Sequence, residues 1–517
     1  MVHRHLVHRF AELAQREPDR SCLVEGNQRL TRAEVAERAD ALARAFRASG
    51  LVPGDRLAID LPNGIPWAIT LLAAAQAGLT VVPLDPELGY HELQYQLRHA
   101  AVAGAVIPEA GGSIDFLELF DELLPTLPSL QLISYVGPGT AWFDDRAVPF
   151  AELLERGRHQ PPVEPPHVEL PPLALVYTSG TMGKPKGVMQ SHDALVDCAL
   201  ATIKAMGLGP DERILLAVPI FHIFGLSVLI GALAHGSTVV MLPTFEPTLA
   251  LATLERERVT ALPGTPTMFE LLMRSPGFAA ADLGSLRGGL VAGNSVLPGL
   301  ADRIREWCNV EVVYGLTEGG PAVAMTQRGD PPEKRRTTVG RPLPGVEARV
   351  VDIRSGELHS HEAVGELAVR SPYLMLGYHR MPVESGRVLT GNGFLLTGDL
   401  AILDEEGYIS IVARRKEVIV RAGQTVTPRE IEDILRTHPG IEDACVVGAP
   451  HEGLGELICA CVVLIEGAIV TGPELRRFCQ DTLAAAKVPD LVRFFDGFPL
   501  TASGKVKRQE LARVVSM

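Results

Sequence analysis

The sequence predicts an α/β protein with a large N-terminal domain, residues 1–413, and a small α+β C-terminal domain, residues 414–517. Within the large domain it predicts two layered α/β subdomains, about 1–156 and 173–334, and a small β-barrel-like subdomain, 335–412. Three observations carry this. At 517 residues with 46% hydrophobic side chains, the chain is too long for one ordinary core and rich enough for several. Strand-like and helix-like periodicities alternate through the N-terminal part, as in parallel sheets covered by helices. A proline-dense stretch from Gln160 through Pro161, Pro162, Pro165 and Pro166 to Pro171 and Pro172 fits an extended connector between the first two units.

Taken in order, Thr31-Arg32-Ala33-Glu34 reads as a capping box ahead of Val35, Ala39, Leu42 and Phe46 at helical spacing, with a stop at Gly50. Asp55 to Leu61 alternates as a strand, Val81 to Leu84 as another, and His91 to His99 as a helix. Beyond the connector, strands Leu173 to Tyr177, Arg213 to Val218 and Thr238 to Leu242 alternate with helical patterns, so this second layer is expected to carry the glycine-rich loop after Tyr177. Between 335 and 412 the texture changes to short strands with Gly and Pro turns, Gly345 to Val351 and Gly365 to Arg370 among them. Thr427-Pro428-Arg429-Glu430 then reads as a capping box with proline at the first helical position. Strands Ala444 to Val447 and Ile458 to Leu464 and a helix from Pro473 complete the C-terminal unit.

The loop Tyr177-Thr178-Ser179-Gly180-Thr181-Met182-Gly183-Lys184-Pro185-Lys186-Gly187 has the chemistry of a polyphosphate cradle. Glycines let backbone N–H groups turn toward anionic oxygens, Thr178, Ser179 and Thr181 donate hydrogen bonds, and Lys186 adds charge. The spacing of the P-loop of NTPases is absent. A formal net charge of -14 excludes a broad nucleic-acid-binding or anionic-membrane face, so phosphate affinity must be local. Seven cysteines with no Cys-x-x-Cys pair form neither a disulfide framework nor a zinc site, and Cys459 and Cys461, alternating on a strand, read as small buried hydrophobes. The amino terminus lacks an apolar signal core, and the apolar run Ala68 to Leu84 is broken by Gln76, so a soluble cytoplasmic protein without stable membrane insertion is expected.

The loop resembles the phosphate-loop signature of the adenylate-forming superfamily: acyl- and aryl-CoA synthetases, carrier-protein adenylation domains and luciferases. The likeness extends over nearly the whole chain, although Met182 stands where that family usually has Thr or Ser. Tyr314-Gly315-Leu316-Thr317-Glu318 resembles the segment in which the tyrosine lines adenine, the threonine meets the α-phosphate and the glutamate holds magnesium; a carboxylate among phosphates needs a cation between. Thr397-Gly398-Asp399 resembles the turn whose aspartate takes both ribose hydroxyls, and Arg414 matches the arginine that also reaches the ribose. Gly293, Asn294 and Ser295 stand beside adenine and the acyl pocket, where the family reads Gly-Gly-Ala. Lys416 matches the hinge about which the small, mobile C-terminal lid swings, and Lys505 in Thr501-Ala502-Ser503-Gly504-Lys505 matches the catalytic lysine. The hinge-proximal loop departs from the family at Ala422 and Thr425.

Pro219-Ile220-Phe221-His222-Ile223-Phe224 bears on substrate class. Where amino-acid adenylation domains place an ammonium-pairing aspartate, this chain has His222 among apolar rings, which suits an uncharged acyl tail; in CoA synthetases the matching histidine gates the tunnel. Gly319 and Gly320 leave room in the adjoining wall, favouring a broad or cyclic acid. The resemblance implies a ligase that uses ATP, Mg2+ and coenzyme A to convert a small carboxylic acid to an acyl-adenylate and then a thioester, with Lys505, Thr181, Glu318 and His222 as its catalytic residues. Two rival readings are a carrier-protein phosphopantetheine as acceptor and a nucleotide-binding regulator without turnover; the identity of the acid and a homodimeric state are left open.

Overall fold

The computed structural model describes residues 6–111, 114–139, 142, 144–163, 170–178, 185–294, 296, 299–352, 358, 363–421, 424–500 and 506–516. The first expected helix runs Arg32–Ala48 with both capping-box bonds present: the Thr31 hydroxyl accepts from Glu34 N–H and the Glu34 carboxylate takes Thr31 N–H. The helices Ile65–Ala77 and Ile223–His235 are apolar on nearly every side, the mark of a helix without a solvent face. Both lie in one core cluster with side chains from both large sheets, among them Leu57, Val81 and Val176 from one and Ile214, Val239 and Leu290 from the other. The apolar run from Ala68 is therefore a buried helix followed by the strand Thr80–Pro83. Among the described residues no helix is long and apolar enough to cross a membrane.

The two large sheets interleave along the chain. The eight-stranded sheet has the spatial order Gly377–Tyr378, Lys186–Gln190, Ala174–Thr178, Thr80–Pro83, Arg56–Ile59, Val102–Pro108, Leu132–Val136, Ala147–Pro149. The nine-stranded sheet runs from Arg341–Pro342 through Val310–Leu316, Gly288–Val291 and Ala261–Gly264 to Ser21–Glu25 and Gln28–Thr31. The ranges 1–156 and 173–334 thus do not separate the sheets. The strands that flank the phosphate loop join the first sheet, not the second as expected: Ala174 pairs in parallel with Val81, and Val81 N–H donates to Leu173 O at 2.9 Å. Parallel pairing is a long-range choice, and a connector as long as 160–172 can return the chain across a sheet without leaving a local trace.

The strands Glu347–Val351, Gly365–Arg370, Leu395–Leu403 and Ile409–Arg414 form an open four-stranded antiparallel sheet in place of the expected barrel. Four strands are too few to close around a filled interior. In the C-terminal part, Gly455–Leu464 pairs with Ile441–His451 on one side and Leu491–Phe495 on the other. The helix Pro428–Leu435 starts where expected, but the Thr427 side chain makes no capping bond. Glu430 is drawn away by Lys487, whose ammonium meets both carboxylate oxygens at 2.7 Å. All seven cysteines are unpaired and buried; Cys445, Cys459 and Cys461 share one face against Leu511, as expected of small hydrophobes.

Asp60 ends the strand Arg56–Ile59 with its side chain 1% exposed and neither carboxylate oxygen hydrogen-bonded among the described residues. Burial first, and the neighbouring Asp85 second, raise its carboxyl well above the usual range. The native state therefore holds this proton after the unfolded chain has lost it, so stability falls as pH rises from the ordinary carboxylate range toward the folded value. Asp60→Asn, which cannot titrate, is expected to melt at a higher temperature than the parent at pH 8, with the gap closing toward pH 4. Parallel thermal melts at four or five pH values check this, and a pH-independent gap contradicts it.

Candidate active site

Strand register builds the first group. Asp399 on Leu395–Leu403 stands directly opposite Arg414 on Ile409–Arg414. The Asp399 carboxylate is buried, with Oδ1 at 2.8 Å from Arg414 Nε and Oδ2 accepting the Tyr314 hydroxyl at 2.5 Å. Tyr314, Gly315 and Leu316 are themselves the end of the strand Val310–Leu316, so the tyrosine's position is set by the sheet and not by a loop. Burial, then Asp399, push the Tyr314 phenol well above its usual range, which keeps it a neutral donor. A carboxylate oxygen can accept more than one hydrogen bond, the chemistry that a pair of hydroxyl donors requires.

Thr178 and Lys186 are cross-strand partners, one on each side of the phosphate-loop mouth. Ser179, Gly180, Thr181, Gly183, Ser295 and Lys505 lie outside the described residues, as does Ala422. The loop's flanks are pinned to the helix Tyr90–Ala100. Tyr95 donates to Pro185 O at 3.1 Å, and the Tyr177 hydroxyl lies 2.8 Å from His99 Nδ1 and donates to Gln96 O at 3.2 Å. The buried Gln190 amide donates to Thr317 O, tying the strand that leaves the loop to the segment carrying Glu318. Glu318 Oε1 accepts from the Tyr378 hydroxyl at 3.0 Å, and Lys186 Nζ sits 4.5 Å over the centre of the same ring. Lys416 faces this corner too: burial first, then Lys186 and Arg414, lower its ammonium pKa, while Glu318 opposes the shift.

No group of three or more His, Cys, Asp or Glu side chains among the described residues is arranged to hold a metal ion. A single half-buried carboxylate such as Glu318 fits Mg2+, which keeps waters and takes much of its coordination from substrate phosphates.

His222 is the residue that caps the amino end of the helix Ile223–His235, its ring centre 5.1 Å from that of Phe221. The approach to it is clamped by Asn63, 4% exposed, which brackets Pro219: Nδ2 donates to Val218 O and Oδ1 accepts from Ile220 N–H, both at 2.9 Å. Gly225 lets the first helical turn press onto this segment, since a Cβ there would come within 2.1 Å of Pro219 O. Gly293, at φ +85, closes the other side, 3.7 Å from the Phe224 ring as measured from a Cβ position; Asn294 next to it is exposed. Through Ser227 and Val228 the same helix walls a small apolar cavity of about 40 Å³ with Ile203, Met206, Ile214, Pro263 and Leu290. Its two lining hydroxyls are already spent, Thr202 on Cys198 O and Ser227 on Phe224 O, each at 2.8 Å, so the cavity offers an apolar chain no competing donor.

Gly319 and Gly320 do not open a wall as expected. A Cβ on Gly319 would lie 2.5 Å from Leu316 Cδ2 and one on Gly320 3.0 Å from Tyr373 Cβ, so these glycines permit a tight hairpin turn and close packing above it. Asn63, Gln190 and Tyr378 escaped the sequence reading because each acts on residues 60 or more positions away, and none lies in a pattern with its partners.

A model of the AMP-binding enzyme family matches residues 10–379, and one of the AMP-binding enzyme C-terminal domain matches 430–505. The chain belongs to the AMP-binding enzyme family. Among curated proteins it is similar to the mitochondrial medium-chain acyl-CoA ligase ACSF2 of Mus musculus, 33% identical over 96% of this chain and 85% of that one. Among solved structures it is similar to ATP-bound MatB from Rhodopseudomonas palustris, with a TM-score of 0.88 at 27% identity over 99% of both chains. It is also similar to o-succinylbenzoate CoA synthetase MenE from Bacillus subtilis in complex with an acyl-adenylate, with a TM-score of 0.82 at 27% identity over 97% of both chains.

Asn63→Ala leaves Val218 O and Ile220 N–H unpaired in a dry seam, at a cost of about 1–3 kcal/mol. Because the loosened segment leads to His222, the KM for the acid should rise about tenfold, equivalent to ~1.4 kcal/mol, while the KM for ATP stays within about twofold. Steady-state kinetics with each substrate varied in turn decide it; equal rises in both constants would contradict a role confined to the gate.

Proposed function

We propose that this AMP-binding enzyme is an ATP-dependent carboxylic acid:CoA ligase for straight-chain aliphatic acids. The carrying observation is the apolar surround of His222, whose ring lies against Phe221 at the head of a helix that also walls a small apolar cavity with Ile203, Met206, Ile214 and Leu290. The name of the medium-chain ligase relative supports the acyl class, and a cavity without a polar donor to spare favours an alkyl tail over the cyclic acid anticipated from Gly319 and Gly320.

In the first half-reaction the acid's carboxylate oxygen bonds to the α-phosphorus of ATP as the bond to the bridging oxygen breaks, and pyrophosphate leaves with that electron pair. Asp399, held by Arg414 and Tyr314, takes the ribose hydroxyls; Thr178, Lys186 and Lys416 face the phosphates from the described side of the loop. Ser179, Gly180, Thr181 and Gly183 complete the cradle, and Lys505 reaches the α-phosphate, roles that rest on the resemblance. Mg2+ held at Glu318 supplies charge neutralisation when bound. Positioned donors of this kind are typically worth ~2.7–4 kcal/mol each. In the second half-reaction a turn of the lid about Lys416 withdraws Lys505, and the CoA sulfur bonds to the acyl carbon as AMP departs and the thiol proton passes to solvent. Membership in the AMP-binding enzyme family and the acyl-CoA ligase relatives speak against a regulator without turnover and for CoA as the acceptor.

Pyrophosphate release from MgATP with a graded series of acids tests the reading. Each added methylene should raise kcat/KM about fourfold, the worth of ~0.8 kcal/mol of buried CH2, until the cavity is full. Val228→Phe, which fills the cavity from the helix, should move that maximum to shorter acids with the KM for ATP unchanged; release only with aromatic acids, or with none, defeats the proposal. Lys505→Ala should abolish adenylate formation yet spare thioester formation from supplied acyl-adenylate, measured as CoA consumption; equal loss of both refutes its assigned role.

A further inference from the structure

The phosphate corner holds an ammonium and a carboxylate that do not pair. Among the described residues Lys186 and Glu318 share no ion pair, with each other or with any third group, although both touch one side chain. That side chain, Tyr378, is 5% exposed and anchored through its backbone: it pairs with Val188 on the strand that begins at Lys186, and its N–H donates to Ser385 Oγ at 2.9 Å. The neighbouring Gly377 takes φ +130, a conformation open to glycine, which lets the short strand turn in. Met375 N–H donates to Glu318 O at 2.9 Å, so the same segment grips the glutamate's backbone as well.

We infer that Tyr378 is a positioning residue that acts as a spacer, its ring carrying the Lys186 ammonium and its hydroxyl holding one Glu318 oxygen, so that cation and carboxylate cannot neutralise one another before a nucleotide arrives. Opposite charges in a partly dehydrated cleft attract strongly, and a collapsed pair must be broken before Lys186 can meet a phosphate. A π-face draws a cation without offering the full negative charge that would hold it there. The hydroxyl occupies Oε1 and leaves Oε2 for a divalent cation. The inference rests on the nucleotide reading of this site and names a residue that the motifs do not include.

Calorimetric titration of ATP into the full chain, in EDTA and in Mg2+, tests it with three variants. Tyr378→Phe keeps the ring, so metal-free ATP affinity should stay within about twofold of the parent while the gain on adding Mg2+ shrinks, because the carboxylate has lost its orienting bond. Tyr378→Leu removes both contacts, and metal-free affinity should fall about tenfold as Lys186 closes on Glu318. Tyr378→Leu with Glu318→Gln removes the partner for that collapse and should recover the metal-free affinity of Glu318→Gln alone. The spacer role is overturned if the Leu variant binds as the parent does, if the Gln substitution restores nothing, or if the Phe variant loses metal-free affinity as the Leu variant does. A parent chain that binds no ATP overturns the nucleotide reading itself, and with it the spacer.

Discussion

The site exists because two sheets of different origin meet along one dry seam. The phosphate loop hangs from the eight-stranded sheet, while Tyr314, Thr317 and Glu318 come from the nine-stranded one. Apolar packing between the sheets, through the Ile65–Ala77 and Ile223–His235 helices, supplies attraction but little register, since hydrophobic contact is non-directional. Register comes from two buried amides. Gln190 joins the loop's outgoing strand to Thr317 O, and Asn63 joins the end of Arg56–Ile59 to both sides of Pro219. A slip along the seam would strand these groups without partners, and each orphaned polar group in such a place is costly. The amides therefore convert greasy adhesion into a fixed distance between a phosphate cradle and the residues that face it.

What could be read from the sequence follows the range of the interaction involved. The Thr31 capping box closes within four residues and is present as expected; so is the strand read at Leu173 to Tyr177, which runs Ala174–Thr178. Thr427 carries the same local pattern, yet its side chain makes no capping bond, and the Glu430 carboxylate that would complete the box pairs with Lys487, 57 positions beyond Glu430. Sheet membership failed for the same reason, since a strand's partners are chosen across the connector. Within the site, Asp399 and Arg414 were legible from motif resemblance, but their bond follows from an antiparallel register that no spacing displays. Asn63 and Tyr378 had no local signal, because an amide bracket and a ring spacer need only be in place in three dimensions.

Glycine shows the same ambiguity at shorter range. Gly293 and Gly377 take backbone angles in the left-handed half of conformational space, and there the residue type answers a backbone demand. Gly225, Gly315 and Gly319 sit where a Cβ would strike Pro219 O, Pro321 O or Leu316, and there it answers a packing demand. In the sequence both kinds look like room for a ligand. The apolar cavity on the helix that His222 caps is lined instead by ordinary side chains, and its hydroxyls are turned onto their own helices' carbonyls.

The balance of charge at the phosphate corner joins these features. The chain's net charge of -14 means that an anion is repelled from most of its surface and must be drawn in by a few cations. Arg414 is committed to Asp399, and among the described residues Lys186 and Lys416 also face the corner. Their proximity, together with burial, lowers the Lys416 pKa, so bringing the hinge lysine into place costs free energy in the absence of an anion. A phosphate set between two ammonium groups reverses the sign of that interaction. Any ligand that interacts differently with two arrangements of the chain shifts their populations by that difference and by no more. Because Lys416 follows the strand Ile409–Arg414 while Lys186 belongs to the eight-stranded sheet, a phosphate between them would draw the two segments together. Keeping Lys186 away from Glu318 is then a condition for both, since a lysine neutralised by its own neighbour would neither attract the nucleotide nor repel Lys416.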